Sequence, residues 1–294
     1  MGKSQELKVL SYAKRNFHST FNENNDPQLL YVGNTRPAAS AHPRIMHSHP
    51  DFLEMVLIVS GKSDYFIHDE SCHVEAGDLL IYNSGVVHDE AAGLKVEMGS
   101  FCIAIEGLHM PGLRPDALIP DDCYPVFHCG EAFDEIRSLF EMMYRHLSES
   151  RVRAEAICTG LMYTLLEKVL VLLNYSEQTE PEPVKPNVLG VQVKEYIDAN
   201  YMHPITLQDI ADSLHFSPYY LSHVFKEMSG YSPFQYLTRR RIGEAQTLLI
   251  ETELPICQIS EMVGYETQNY FNVQFTKCIG MPPKRFRQNF VIHA

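Results

Sequence analysis

The stretch HSHPDFLEMVLIVSG, His47 to Gly61, sets two histidines one residue apart and a carboxylate five residues after the second. A later stretch, GDLLIYNSGVVH, Gly77 to His88, ends on a third histidine. Three imidazoles and one carboxylate, from His47, His49, Glu54 and His88, form a donor set for iron, manganese, nickel or zinc, with positions left open for a substrate or an anion. Taken alone, the residues fit a catalytic metal centre, a pocket that only senses, or strand residues on a wall, as His42, His68 and His73 are read to be. His47 and His49 can share one strand face. Glu54 lies an odd number of residues further on, so the chain must bend near Pro50-Asp51 for all to converge.

The elements that must hold these residues are short strands. Up to about residue 120, runs such as FLEMVLIV, SDYFIH and LLIY end at SGK, DES and NSG, which predicts an antiparallel barrel or sandwich. From about 131 to 174 the pattern turns helical: Phe133, Ile136, Phe140 and Met143 fall at helical spacing, then Ile157, Leu161, Leu165, Val169 and Leu172. The second stripe is long for a helix that only packs on a barrel, so it serves either the core or a dimer seam. Residues 175–187, YSEQTEPEPVKPN, combine Pro with Glu and read as a linker. The fold class is therefore α+β in two domains, residues 1–174 and 188–294, the second all-helical.

Charge separates the two. Of the net −13, residues 1–187 carry 15 Lys+Arg against 27 Asp+Glu, and the remainder 9 against 10. Such acidity argues against a protein that coats nucleic acid or anionic membrane, but the bases after 187 cluster at Arg239–Arg241 and Lys284–Arg287, as a phosphate footprint would. The seven cysteines are odd in number and lack a C-x-x-C pair, so they read as reduced thiols of a cytoplasmic protein. No membrane segment or export signal is expected.

The C-terminal part repeats itself. Ile210-Ala211, Leu221 and Phe225 recur as Ile259-Ser260, Phe271 and Phe275, offset by 49 residues in the first helix and 50 in the second. Two helix-turn-helix units, about 206–228 and 255–278, account for this, the second with a turn one residue longer. Thr206 with Asp209 forms a capping box, and Ser217-Pro218 opens the next helix. Tyr219, Tyr220, Ser222, His223 and Lys226 are left outside in one unit, and Gln268, Asn269 and Asn272 in the other. Amide side chains suit adenine edges, and Lys or Arg suits phosphate.

The run ITLQDIADSLHFSPYYLSHVFKEMSGYSPFQYLTRRRIGEAQTLL, followed by ISEMVGYETQNYFNVQFTKCIGMPPKRFR, resembles the AraC/XylS family of bacterial transcription regulators over the last hundred residues. The resemblance implies two recognition helices in successive major-groove turns. It carries base reading to Tyr219, Ser222, His223, Gln268, Asn269 and Asn272; Lys226 and Arg240 are taken as backbone contacts. Val273 and Thr276 stand where the family often has Arg and Lys, and Pro282 where a Thr is usual, so the first helix is expected to grip DNA better than the second.

Residues 40–105 resemble cupins through H-x-H-x4-E-x6-G and G-x5-P-x-G-x2-H, with Asn83 in the Pro position. In metal-binding cupins the positions of His47, His49, Glu54 and His88 are the ligands. In arabinose-type sensors a similar barrel binds sugar without metal, and the same side chains would meet hydroxyls together with Arg44, Tyr65 and Tyr82. The expected protein is a ligand-responsive, sequence-specific DNA-binding regulator, an activator of carbohydrate-utilisation genes, dimeric and non-enzymatic. It requires no cofactor, although the pocket admits a divalent metal, and the resemblance admits RNA polymerase as a further partner. The rivals are a metal-responsive regulator and a metal-dependent cupin enzyme.

Overall fold

The computed structural model describes residues 20–21, 25–35, 45–68, 70–89, 98–176 and 187–290. Its N-terminal half contains β1 (Gln28–Thr35), β2 (Leu53–Ser60), β3 (Lys62–Ile67), β4 (Glu70–Glu75), β5 (Asp78–Tyr82), β6 (His88–Asp89), β7 (Gly99–Glu106) and β8 (Val126–His128). They form two antiparallel sheets, ordered β1-β7-β2-β5-β8 and β4-β3-β6. Among the described residues, hydrogen bonds do not close the expected barrel, and a last strand lies beyond residue 120.

The apolar run in β2 follows from burial on both faces. Leu53, Met55 and Leu57 join Leu79, Ile81, Ile103 and Ile105 beneath two helices, α1 (Phe133–Ser148) and α2 (Ala154–Ser176). Val56 and Ile58 join Tyr65, Ile67, Leu80 and Tyr82 between the sheets. Strand alternation puts Glu54 on this second face, where an isolated carboxylate would be costly. Its partners there are described below.

The packed side of α2 is rotated from the expected stripe. Cys158, Met162, Leu165, Leu166 and Val169 are buried, while Ile157 and Val171 are exposed. By length and composition alone, Ala154–Asn174 could cross a membrane, a segment the sequence reading did not anticipate. Its buried side is instead part of the core beneath the five-stranded sheet. Residues 177–186, most of the expected linker, lie outside the described residues, as do His42 and Arg44.

The C-terminal half is helical: α3 (Val188–Asn200), α4 (Leu207–Leu214), α5 (Pro218–Ser229), α6 (Pro233–Glu251), α7 (Ile256–Met262), α8 (Gln268–Ile279) and α9 (Pro283–Phe290). Local chemistry starts and stops them. Thr206 and Asp209 form the reciprocal capping box, the Ser217 side chain accepts from the Tyr220 amide, and Thr267 does the same for Tyr270. The first unit turns on His215 at φ 60, the second on Gly264 at φ 86, a conformation favouring glycine. The long α6 is shared: Tyr236 and Leu237 belong to the core of the first unit, Ile242, Ala245 and Leu249 to that of the second.

Candidate sensor site and nucleic-acid interface

The bend predicted near Pro50-Asp51 is a turn between the histidine pair and β2. His47 and His88 lie directly opposite each other, each amide donating to the other's carbonyl at 2.9 Å. The Gly85 amide donates to the His49 carbonyl at 2.6 Å and fixes the loop from the other side. The four predicted residues therefore converge: their potential ligand atoms lie within 4.8 Å of one another, and all four residues are buried.

Glu54 is the hub. Its Oε2 is 3.3 Å from His88 Nε2 and 3.6 Å from His49 Nε2, and its Oε1 accepts from the Tyr31 hydroxyl at 2.7 Å. Burial alone would raise the Glu54 carboxyl, but the His49 and His88 imidazoles beside it hold it well below the usual carboxylate range. A carbonyl can only accept, so His88 Nδ1, 3.0 Å from the Val86 oxygen, donates there and presents Nε2 to the site. Tyr82 stacks on His88 with ring centroids 3.9 Å apart, and Phe52 stacks on His49 at 4.3 Å. Tyr65 is buried in the same apolar cluster as Tyr82.

This donor set fits a divalent transition metal. It offers imidazole nitrogens and an ionised carboxylate, with one histidine oriented by a carbonyl as metal-binding imidazoles commonly are. Bonds of about 2.0–2.2 Å would need small side-chain movements from the present 4.8 Å envelope. Two supporting residues, Tyr31 and Phe52, were not singled out from sequence. Tyr31 comes from another strand, and neither departs from an ordinary apolar or aromatic strand pattern.

Asn83 also proves to be more than a substitute for proline. Its side chain donates to the Ile119 carbonyl and the Asp121 carboxylate and accepts from the Leu118 amide, pinning the loop before β8. No short motif could have revealed partners some 35 residues away.

On the helical half, Leu221 and Phe225 are buried while Tyr219, Tyr220, His223 and Lys226 are exposed, with Ser222 half-buried beside them. In α8, Phe271 and Phe275 are buried, Gln268 and Asn269 exposed, and Asn272 half-buried. Each helix thus presents a polar face suited to a groove. Arg240 does not join either face. It is buried, its Nε 3.5 Å from Asp198 and its guanidinium 4.8 Å from the Tyr201 ring centroid. The triple-Arg run is structural elsewhere too: Arg239 pairs with Asp89, and Arg241 donates to the carbonyls of Tyr201 and His203.

Comparison with known proteins covers both halves. Residues 33–166 match the AraC-like ligand binding domain, and residues 210–289 match a helix-turn-helix domain. The chain is 26% identical over 247 residues to an uncharacterized HTH-type transcriptional regulator of Escherichia coli, YdiP, covering 83% of this chain and 81% of that one. It is 24% identical over 260 residues to the lactose operon transcription activator of Staphylococcus xylosus, covering 85% and 90%. Against the HTH-type transcriptional activator RhaR of Escherichia coli it is 26% identical over 249 residues, covering 82% and 86%. With a ligand-binding half, a double helix-turn-helix half and regulators as full-length relatives, the chain belongs to the AraC/XylS family and is a ligand-responsive, DNA-binding transcription regulator.

Proposed function

We propose that the protein activates carbohydrate-utilisation genes, and that His47, His49, Glu54 and His88 hold a divalent transition metal as part of the effector site. The observation that carries the metal reading is the buried convergence of the four side chains from separate segments. The carbohydrate reading is supported by the similarity to the lactose operon transcription activator of Staphylococcus xylosus. A bound metal would supply a Lewis-acidic centre able to accept oxygen ligands. Tyr31 and Val86 then orient the chain's own donors, and Tyr82 and Phe52 exclude water from them. In this reading the site senses a ligand and catalyses no reaction.

The protein would work in the cytoplasm as a homodimer, with RNA polymerase as the further partner of activation. The odd number of cysteines and the lack of a C-x-x-C pair suit a reducing compartment. Ile157, Thr164 and Val171 recur at seven-residue spacing on the outer side of α2, and Ile157 and Val171 are exposed, as a helix-to-helix seam would leave them.

The test is metal analysis and thermal shift on the full chain after chelation, with zinc and with a panel of mono- and disaccharides. One equivalent of zinc should bind and raise the melting temperature, and Glu54→Gln should abolish this. Ligand at ~100 times its Kd should add about 2.7 kcal/mol. Failure to bind zinc overturns the metal site, a flat sugar screen overturns the carbohydrate effector, and turnover of a stabilising ligand overturns the sensing role.

A further inference from the structure

The segments that carry the histidines also grip the DNA-binding half. Across the His47–His88 pair, strand alternation sends the two imidazoles to the site and their neighbours to the opposite face. On that face Asp89 is fully covered and receives Arg239 Nε and Nη2 at 2.6 and 2.8 Å. The Tyr231 hydroxyl donates to the same carboxylate at 3.4 Å, while the Arg239 guanidinium lies 5.0 Å from the Tyr231 ring centroid. Phe66, register partner of Asp89, meets the rings of Tyr231 and Tyr236 edge-on.

Two consecutive residues then enter different cores. Met46 is buried with Val193, Phe225 and Tyr236 of the first helix-turn-helix unit, and Ile45 with Ile242, Phe271 and Phe275 of the second. The Ile45 amide donates to the buried Gln246 side chain at 3.0 Å. Between them passes Gly243, in mid-helix, where an added Cβ would lie 2.1 Å from the Met46 carbonyl oxygen and 2.3 Å from that of Ile45. Glycine in a helix interior is otherwise unfavourable. This close approach is a physical reason for it.

We propose that residues 45–49 and 87–89 form a coupling strap: binding of a divalent metal by His47, His49, Glu54 and His88 and docking of α6 on the sensor half are one linked equilibrium. The inference rests on the metal site proposed above and adds its regulation. In the docked state the four donors are gathered and the strap is seated on α6; both depend on the same antiparallel pair. Anything that unseats Ile45 and Met46 frees His47 from its position, and anything that draws the donors together holds the strap in place. Linkage makes the effect reciprocal.

The experiment measures zinc affinity of the full chain by competition with a chromophoric chelator, in wild type, Gly243→Ala and Arg239→Ala, with X-ray scattering to follow separation of the halves. Gly243→Ala is the discriminating variant, because it favours helix α6 itself while blocking the seat of the strap. Both variants should retain native helix content, bind zinc at least tenfold more weakly and show a larger radius of gyration, which saturating zinc reduces. Wild-type zinc affinity in both variants overturns the coupling while leaving the metal site standing. Absence of zinc binding in wild type overturns both.

Discussion

Arg240 and Asp198, 3.5 Å apart beneath the ring of Tyr201, join α6 to α3 inside the first helix-turn-helix unit. An arginine from a basic run thus spends its charge within the domain, where Lys194 and the Tyr236 hydroxyl address the same carboxylate.

Arg240→Ala should therefore lower stability by about 1–3 kcal/mol, since a largely buried charged network loses one member. Urea denaturation measures that loss. The dependence of DNA affinity on salt should keep its wild-type slope; a decrease of about one would return Arg240 to the phosphate backbone.

His223→Ala should change which bases are preferred, at a cost of about 1–3 kcal/mol against the best site. Lys226→Ala should weaken all sequences alike. Both follow from exposed positions on α5, and gel shifts over a randomised duplex pool distinguish them. Uniform weakening by His223→Ala would remove it from the base-reading set.

Val171→Glu should convert a dimer to a monomer in sedimentation at micromolar concentration, with the sensor core intact. The exposed side chain projects away from the buried stripe of Cys158, Met162 and Leu165, so a charge there opposes association rather than folding. An unchanged sedimentation coefficient would overturn the proposed seam on α2.

Asp121 supplies an acid-side dependence. Hydrogen bonds from the Arg114 guanidinium, with one from Asn83 and the arginine's charge, hold its carboxyl below the ordinary 3.8 despite partial burial. A lowered folded pKa stabilises the fold above the ordinary value and loses that contribution as pH falls through the folded value. The stability gap between wild type and Asp121→Asn should be constant near neutrality and narrow below about pH 4. Thermal melts across this range test it; a gap independent of pH would contradict the pairing.

Much of this protein is written in local pattern. The capping box at Thr206 and Asp209, the Ser217-Pro218 start and the 49- and 50-residue offsets specify two helix-turn-helix units, because caps and helical periodicity act within a few residues. The parity of His47, His49 and Glu54 even demanded the turn at Pro50-Asp51, since side chains alternate along a strand. Tertiary structure alone decided that the strands form two unclosed sheets, that Tyr31 meets Glu54, and that Arg240 turns inward to Asp198. The same is true of Ile45 and Met46, which read as ordinary apolar residues before a histidine pair yet are seated in two separate helical cores. Chain order fixes which residues can share a face, but partners 23 to 201 residues apart are chosen by packing and by the need to satisfy buried charge.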